Sequence, residues 1–338
     1  MNARQVFVVA SLFLASLSAV YAEIPELKRD MNLSAVVAYY PPNLSGYGTD
    51  GFAPVDFDTI PGGAGERDLG TGWGGAEGKV SLSHTVTIPA MRGDGMLFSG
   101  NSVACKLTGE LSPVSMNAVF QISATPIAFF KLTAGAGIGT GFTLGFTGLA
   151  VNPASSEEDL IEEPFGGAVY RYWLSGTFQF DLAALVPGEW NHLVFQVIPK
   201  IEYKAYTGAD SGEAWLWEAD RGENFNGTRY YGTYLVGYQM PLAVNLVGFL
   251  LETEEWIGDV RSMSPMSSGW GSDFVTMNFG PLVNITLNEE SSLSILVQFK
   301  TGRDYTDETT QKRSFQERDF EDGYLYFNRI AVSYSLNL

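Results

Sequence analysis

Apolar residues at every second position, in runs of about ten, recur from Gly78 to the final residue, and nothing else in the chain restricts the fold so severely. KVSLSHTVTI, 79–88, sets Val80, Leu82, Val86 and Ile88 against Lys79, Ser81, Ser83, Thr85 and Thr87. VSMNAVFQIS, 114–123, and HLVFQVIPKIEYK, 192–204, divide in the same way. A period of two puts each set on one face of a strand, whereas a helix would scatter it around the axis. The spacing predicts twelve strands, over 78–89, 102–112, 114–124, 127–137, 141–150, 168–181, 190–205, 228–240, 242–252, 276–287, 292–301 and 323–338.

The apolar face must meet either the core of a soluble sandwich or lipid. The chain opens MNARQVFVVASLFLASLSAVYA, with basic Arg4, an apolar run to about Leu17 and small residues leading to Ala22, the layout of a secretory signal peptide over residues 1–22. After Glu23 there is no uninterrupted apolar stretch of about 18 residues, so a membrane-bound form must be a barrel. Beyond residue 22 the chain carries 19 basic against 38 acidic residues, a net charge of −19, which excludes nucleic acid as a partner. Cys105 is the only cysteine, so no disulfide framework supports the fold.

Connection lengths favour the barrel. Short turns are expected at Ser112–Pro113, around Gly139, at 182–189, at Met240–Pro241 and at 288–291. Longer polar loops occupy about 90–101, 151–167, 206–227, 253–275 and 302–322. Counted back from a periplasmic C-terminus, the short turns all fall on the periplasmic side and the long loops outside, apart from a very short outer link at Thr125–Pro126. Aromatic residues gather near predicted strand ends, as at Tyr170, Tyr172 and Trp173, where amphipathic rings suit a lipid–water boundary.

The last ten residues, RIAVSYSLNL, alternate up to Leu338, with Ile330, Val332, Tyr334, Leu336 and Leu338 on one face. In this, residues 78–338 resemble the bacterial outer-membrane β-barrel superfamily, whose C-terminal strand carries alternate hydrophobic residues to its last position. The chain departs from the commonest form by ending in leucine and not in an aromatic residue, and no subfamily motif is present. The resemblance implies a Gram-negative outer membrane as the location. It also implies an all-β, transmembrane, antiparallel up-and-down barrel of about twelve strands. Its partners would be the bilayer with its lipopolysaccharide, small solutes, and the machinery that inserts such barrels. Residues 23–77, where NLSAVVAYY (32–40) reads as a strand before an aperiodic Gly- and Asp-rich stretch, form a plug, a periplasmic segment or an extra strand pair that would make fourteen.

Enzymatic chemistry finds little support. The only histidines, His84 and His192, have Leu82 and Val86, and Trp190 and Val194, at the i±2 positions that share their strand face, so neither has a serine there. GAGIGTG, 135–141, fails the dinucleotide spacing and reads as a tight hairpin. The acidic stretches SSEEDLIEE (155–163), DRGEN (220–224) and ERDFED (317–322) match no calcium loop, and no metal or cofactor is expected.

If the apolar face meets lipid, Lys79, Lys106, Lys131, Arg171, Lys200, Lys204, Arg229, Lys300 and Arg329 point inward, opposed there by Glu110, Glu202 and Asp181. That basic lining in an acidic chain predicts a channel for small hydrophilic, anionic solutes, lined by these nine bases and Glu202. The alternative is a structural or adhesive barrel that binds a surface partner through its acidic loops. Cys105, alternating with Val103 and Leu107, should face lipid.

Overall fold

The computed structural model describes residues 27–41, 55–56, 59–60, 67–68, 75–142, 148–152, 161–210, 212–218, 224–258, 269–306 and 318–338. The signal-peptide segment 1–22 and most of the acidic stretch 155–163 lie outside the described residues.

Twelve strands make up the wall: β1 (Lys28–Tyr40), β2 (Gly75–Pro89), β3 (Ser102–Leu111), β4 (Ser115–Ile127), β5 (Phe130–Gly141), β6 (Val169–Asp181), β7 (His192–Tyr206), β8 (Gly227–Gln239), β9 (Val244–Ile257), β10 (Thr276–Thr286), β11 (Ser291–Tyr305) and β12 (Phe320–Asn337). Each pairs antiparallel with its neighbours in sequence, and β1 pairs with both β2 and β12, which closes the ring. A closed ring leaves no edge, so every wall strand has a paired neighbour on both sides, as a hydrocarbon environment demands.

The outer face is the apolar set of the alternation. Leu82, Leu107, Ile122, Leu174, Ile201, Phe249 and Val332 are all exposed. Cys105 sits on this face, in register between Val86 and Ile122.

The strand count is as expected, but its membership is not. Lys28–Tyr40 is a wall strand, so part of the N-terminal segment belongs to the barrel, in register Asn32↔Asn337 on one side and Asn32↔Ser83 on the other. Conversely, 127–137 and 141–150 do not form two strands. Phe130–Gly141 is a single strand running through Gly139, and Leu149–Asn152 belongs to a separate three-stranded sheet with Ile161–Glu162 and Ala214–Trp217.

That false break also inverted every earlier connection. We call the rim that holds Lys28 and Asn337 the near rim. It carries 90–101, 128–129, 182–191, 240–243 and 287–290. At the far rim stand Tyr40 and Gly75, Leu111 and Ser115, Gly141 and Val169, Tyr206 and Gly227, Ile257 and Thr276, and Tyr305 and Phe320, the strand ends on that side. The turn at Ser112–Pro113 is therefore on the far rim and the loop 90–101 on the near rim, opposite to expectation. The anomalous link at Thr125–Pro126 disappears, because both residues lie within β4 and the turn is at 128–129.

The physical reason for the misread is the glycines. Gly135, Gly137 and Gly139 alternate on the inner face of β5, where they leave room for neighbouring side chains. A Cβ on Gly135 would stand 2.2 Å from the Trp173 ring, and one on Gly139 would stand 1.8 Å from Asn117 Oδ1. Glycine here marks a close approach across a strand pair and not a turn.

At the far rim, described residues of the connections pack with the strand ends. Leu149, Val151, Val169, Tyr206, Trp215 and Trp217 form one buried cluster, and Ala214, Phe225, Trp256, Trp270 and Tyr305 form another.

Candidate functional site

Strand register fixes which side chains enter the lumen. One hydrogen-bonded row runs Thr85, Lys106, Gln121, Gly135, Trp173, Glu202, Arg229, Trp256 from β2 to β9. Directly paired residues on antiparallel strands share a face, so the nine bases and Glu202 expected inside all stand on the inner-face positions of their strands.

Their surroundings differ sharply. Lys79 Nζ lies 3.0 Å from Glu218 Oε2 and 3.8 Å from Glu110 Oε2. Lys200 Nζ lies 2.9 Å from Glu202 Oε2 and 4.0 Å from the centre of the Tyr231 ring. Lys204 stands over the rings of Trp215 and Trp217 at 5.4 and 5.7 Å. Arg229 is bonded to Glu254 and lies 3.8 Å over Trp256. Arg329 donates to Gln298 Oε1 at 2.8 Å and to Tyr40 Oη at 3.2 Å, with Glu77 at 3.7 Å, which ties β12 to β11, β1 and β2 across the closing seam. Lys300 is paired in register with Asn278, and Lys131 is exposed toward the near rim.

Lys106 and Arg171 are different. Among the described residues neither has a carboxylate partner, and the Arg171 guanidinium lies 5.5 Å from the Trp173 ring.

The inner face is more acidic than the alternation implied. Glu77, Glu252 and Glu254 join Glu110, Glu202 and Asp181 on the wall, and Glu218 reaches in from a loop. Glu77 lies just before the expected start of its strand. Glu254 lies beyond the expected end at residue 252, because LETEEW looks like a polar loop until its even positions are seen to continue the inner face. Glu218 sits in an aperiodic connection, where spacing carries no signal.

Glu218 fastens a strap. The connection 207–226 leaves β7, pairs Ala214–Trp217 with Leu149–Asn152, and returns to β8. At its turn the Glu218 carboxylate accepts from Ser115 Oγ at 2.6 Å, Asn117 Nδ2 at 2.9 Å and Lys79 Nζ at 3.0 Å. Those donors stand on β2 and β4, and β2 is half the ring away from β8. The strap therefore crosses the far mouth from wall to wall.

Below the strap, toward the near rim, is a cavity of about 450 Å³ lined by residues of β2 to β4 and β6 to β8, including Lys106, Gln121, Arg171, Trp173, Lys200 and Glu202. A closed wall, apolar outside and polar inside, with a solute-sized cavity within it, has one architectural meaning. The fold is that of a transmembrane β-barrel.

Solved structures similar to this barrel include outer-membrane channels. The DcaP channel of Acinetobacter baumannii aligns with a TM-score of 0.34 at 9% identity, over 92% of this chain and 97% of that one. A deletion mutant of TodX, a monoaromatic hydrocarbon channel, aligns at 0.35 and 8%, over 92% and 90%. A FadL homologue of Pseudomonas aeruginosa aligns at 0.31 and 10%, over 92% and 90%. At these scores the likeness says nothing about substrate or mechanism. No family model and no curated protein matches the chain.

The two histidines are apart. His84 pairs with Met31 and Leu107 on the outer face. His192 Nδ1 lies 2.6 Å from Asp181 Oδ2 at the near rim.

Proposed function

We propose that this chain is an outer-membrane channel through which small hydrophilic solutes diffuse, with a preference for anions, and that the ten inner-face residues Lys79, Lys106, Lys131, Arg171, Lys200, Glu202, Lys204, Arg229, Lys300 and Arg329 line its path. The observation that carries the preference is the pair Lys106 and Arg171. Most of the other lumen bases stand beside a carboxylate, which cancels their field at short range. These two do not, and they share one cavity. In a narrow, low-dielectric lumen an uncompensated cation focuses potential and draws anions. On this reading the acidic loops face lipopolysaccharide, and the C-terminal strand engages the insertion machinery.

Reversal potentials across planar bilayers in a salt gradient test the proposal. Wild-type protein should show a modest anion preference. Lys106→Gln with Arg171→Gln should abolish it, whereas Lys200→Gln, which removes a base already offset by Glu202, should change it less. The preference should persist at 1 M salt, where screening falls to about 3 Å and only charges inside the lumen still act. A cation-selective wild type would refute it. The strap across the far mouth supports a second reading, a barrel with a blocked lumen that binds a surface partner. Folded protein that never conducts would favour that one.

A further inference from the structure

The glycine run of β5 serves the lumen more directly than as a wall strand. Gly135, Gly137 and Gly139 leave a shallow bay in the inner face, and two side chains of β6 occupy it. The Trp173 ring lies against Gly135, and the Arg171 side chain crosses Gly137, where a Cβ would stand 3.1 Å from its Nε. With the guanidinium 5.5 Å from the Trp173 ring, this arrangement holds it in place. A guanidinium held by an aromatic ring still presents its N–H groups as a planar fork, which matches a carboxylate in geometry. Lys106 supplies a second cation from the row of Gln121, Gly135 and Trp173, one inward-facing row away from that of Arg171. The two carboxylates of the cavity do not compete for them, since Glu110 faces Lys79 at 3.8 Å and Glu202 holds Lys200 at 2.9 Å. Val119, Ile198 and the edges of Trp173 and Tyr231 give the same cavity apolar surface. Its volume of about 450 Å³ falls in the range of small-molecule sites.

We propose that the cavity beside this bay is a binding site for organic carboxylates with a compact apolar body such as a ring, held by Arg171 and Lys106 and seated against Val119, Trp173 and Ile198. The inference rests on the channel reading and deepens it, by giving the permeating anion a chemical class and a stopping place. A site for spherical inorganic anions would need neither the fork nor the apolar surface. A site for neutral hydrocarbons would not place two uncompensated cations beside it.

The test uses full-length folded protein and has two independent readouts. Calorimetric titration with benzoate in detergent should give saturable binding, with acetate and benzamide at least about tenfold weaker, because one lacks the apolar body and the other the charge. The same benzoate should reduce chloride current through single channels over the same concentration range. Arg171→Gln and Lys106→Gln should each raise the half-saturating concentration about tenfold, the loss of one charge-assisted contact. Gly137→Val, which keeps every charge but fills the space beneath Arg171, should weaken benzoate by a comparable factor. Heat-modifiable gel mobility identifies variants that fold.

Benzoate binding without any conductance would leave the site standing and overturn the channel. Conductance with acetate, benzamide and benzoate indistinguishable, or with benzoate unaffected by the Arg171 and Gly137 changes, would overturn the site and leave the channel.

Discussion

A residue other than glycine held at positive φ costs roughly 1 kcal/mol or more, and Glu218 sits at φ 60°. Its three side-chain contacts offset that cost and define the strap's anchor. Burial alone would push the carboxyl up, but the Lys79 ammonium and the bonds from Ser115 and Asn117 outweigh burial and hold it below its usual range. A lowered value means that the anchored state favours the anion. Its contribution is complete above the ordinary carboxylate value of 4.5 and is lost as pH falls through the lowered one. Single-channel current should therefore be equally steady at pH 7 and pH 5, with large fluctuations appearing only at a pH well below 4.5 as the strap comes loose. Glu218→Gln should fluctuate throughout this range, and steady current in that variant would show that the aromatic clusters, not the carboxylate, hold the strap. Lys106 and Arg171 were legible in the sequence because strand alternation states their direction. Glu218 was not, since a side chain at a loop turn finds its partners through the tertiary path of the loop.

At the scale of elements, β1 and β5 carry the lesson. β1 was visible as NLSAVVAYY, yet its place in the wall was not, because the 34 residues before β2 hide the pairing partner that period-two spacing cannot name. In β5 the inner face is lined by Gly135, Gly137 and Gly139, so the alternation lost half of its contrast and resembled a turn. The count of twelve came out right because one omitted strand and one spurious strand cancelled. Deleting residues 28–40 leaves β2 and β12 without the strand that joins them. Such a chain should give no heat-modifiable folded form on gels, while full-length protein in detergent should shift mobility on boiling. A folded deletion variant would mean that β2 and β12 can pair directly.

For the whole molecule, the outer belt decides stability in lipid. Leu174 is 59% exposed on β6, away from both rims, so it meets acyl chains. Leu174→Arg should cost about 2–4 kcal/mol in urea titrations in lipid vesicles, whereas Ser175→Arg, one residue along on the lumen side, should cost far less. Equal costs would mean that the two faces are exchanged. The seam of the ring has a further consequence in time. Asn32 Nδ2 bonds Asn337 Oδ1 across a sequence separation of 305, and Leu338 N–H donates to the Met31 carbonyl at 2.9 Å. Closing the ring brings together residues 305 positions apart, the slowest kind of pairing a chain can make. Until then the sheet presents two open edges to any neighbour, and the open form is an aggregation hazard for as long as its two ends remain apart.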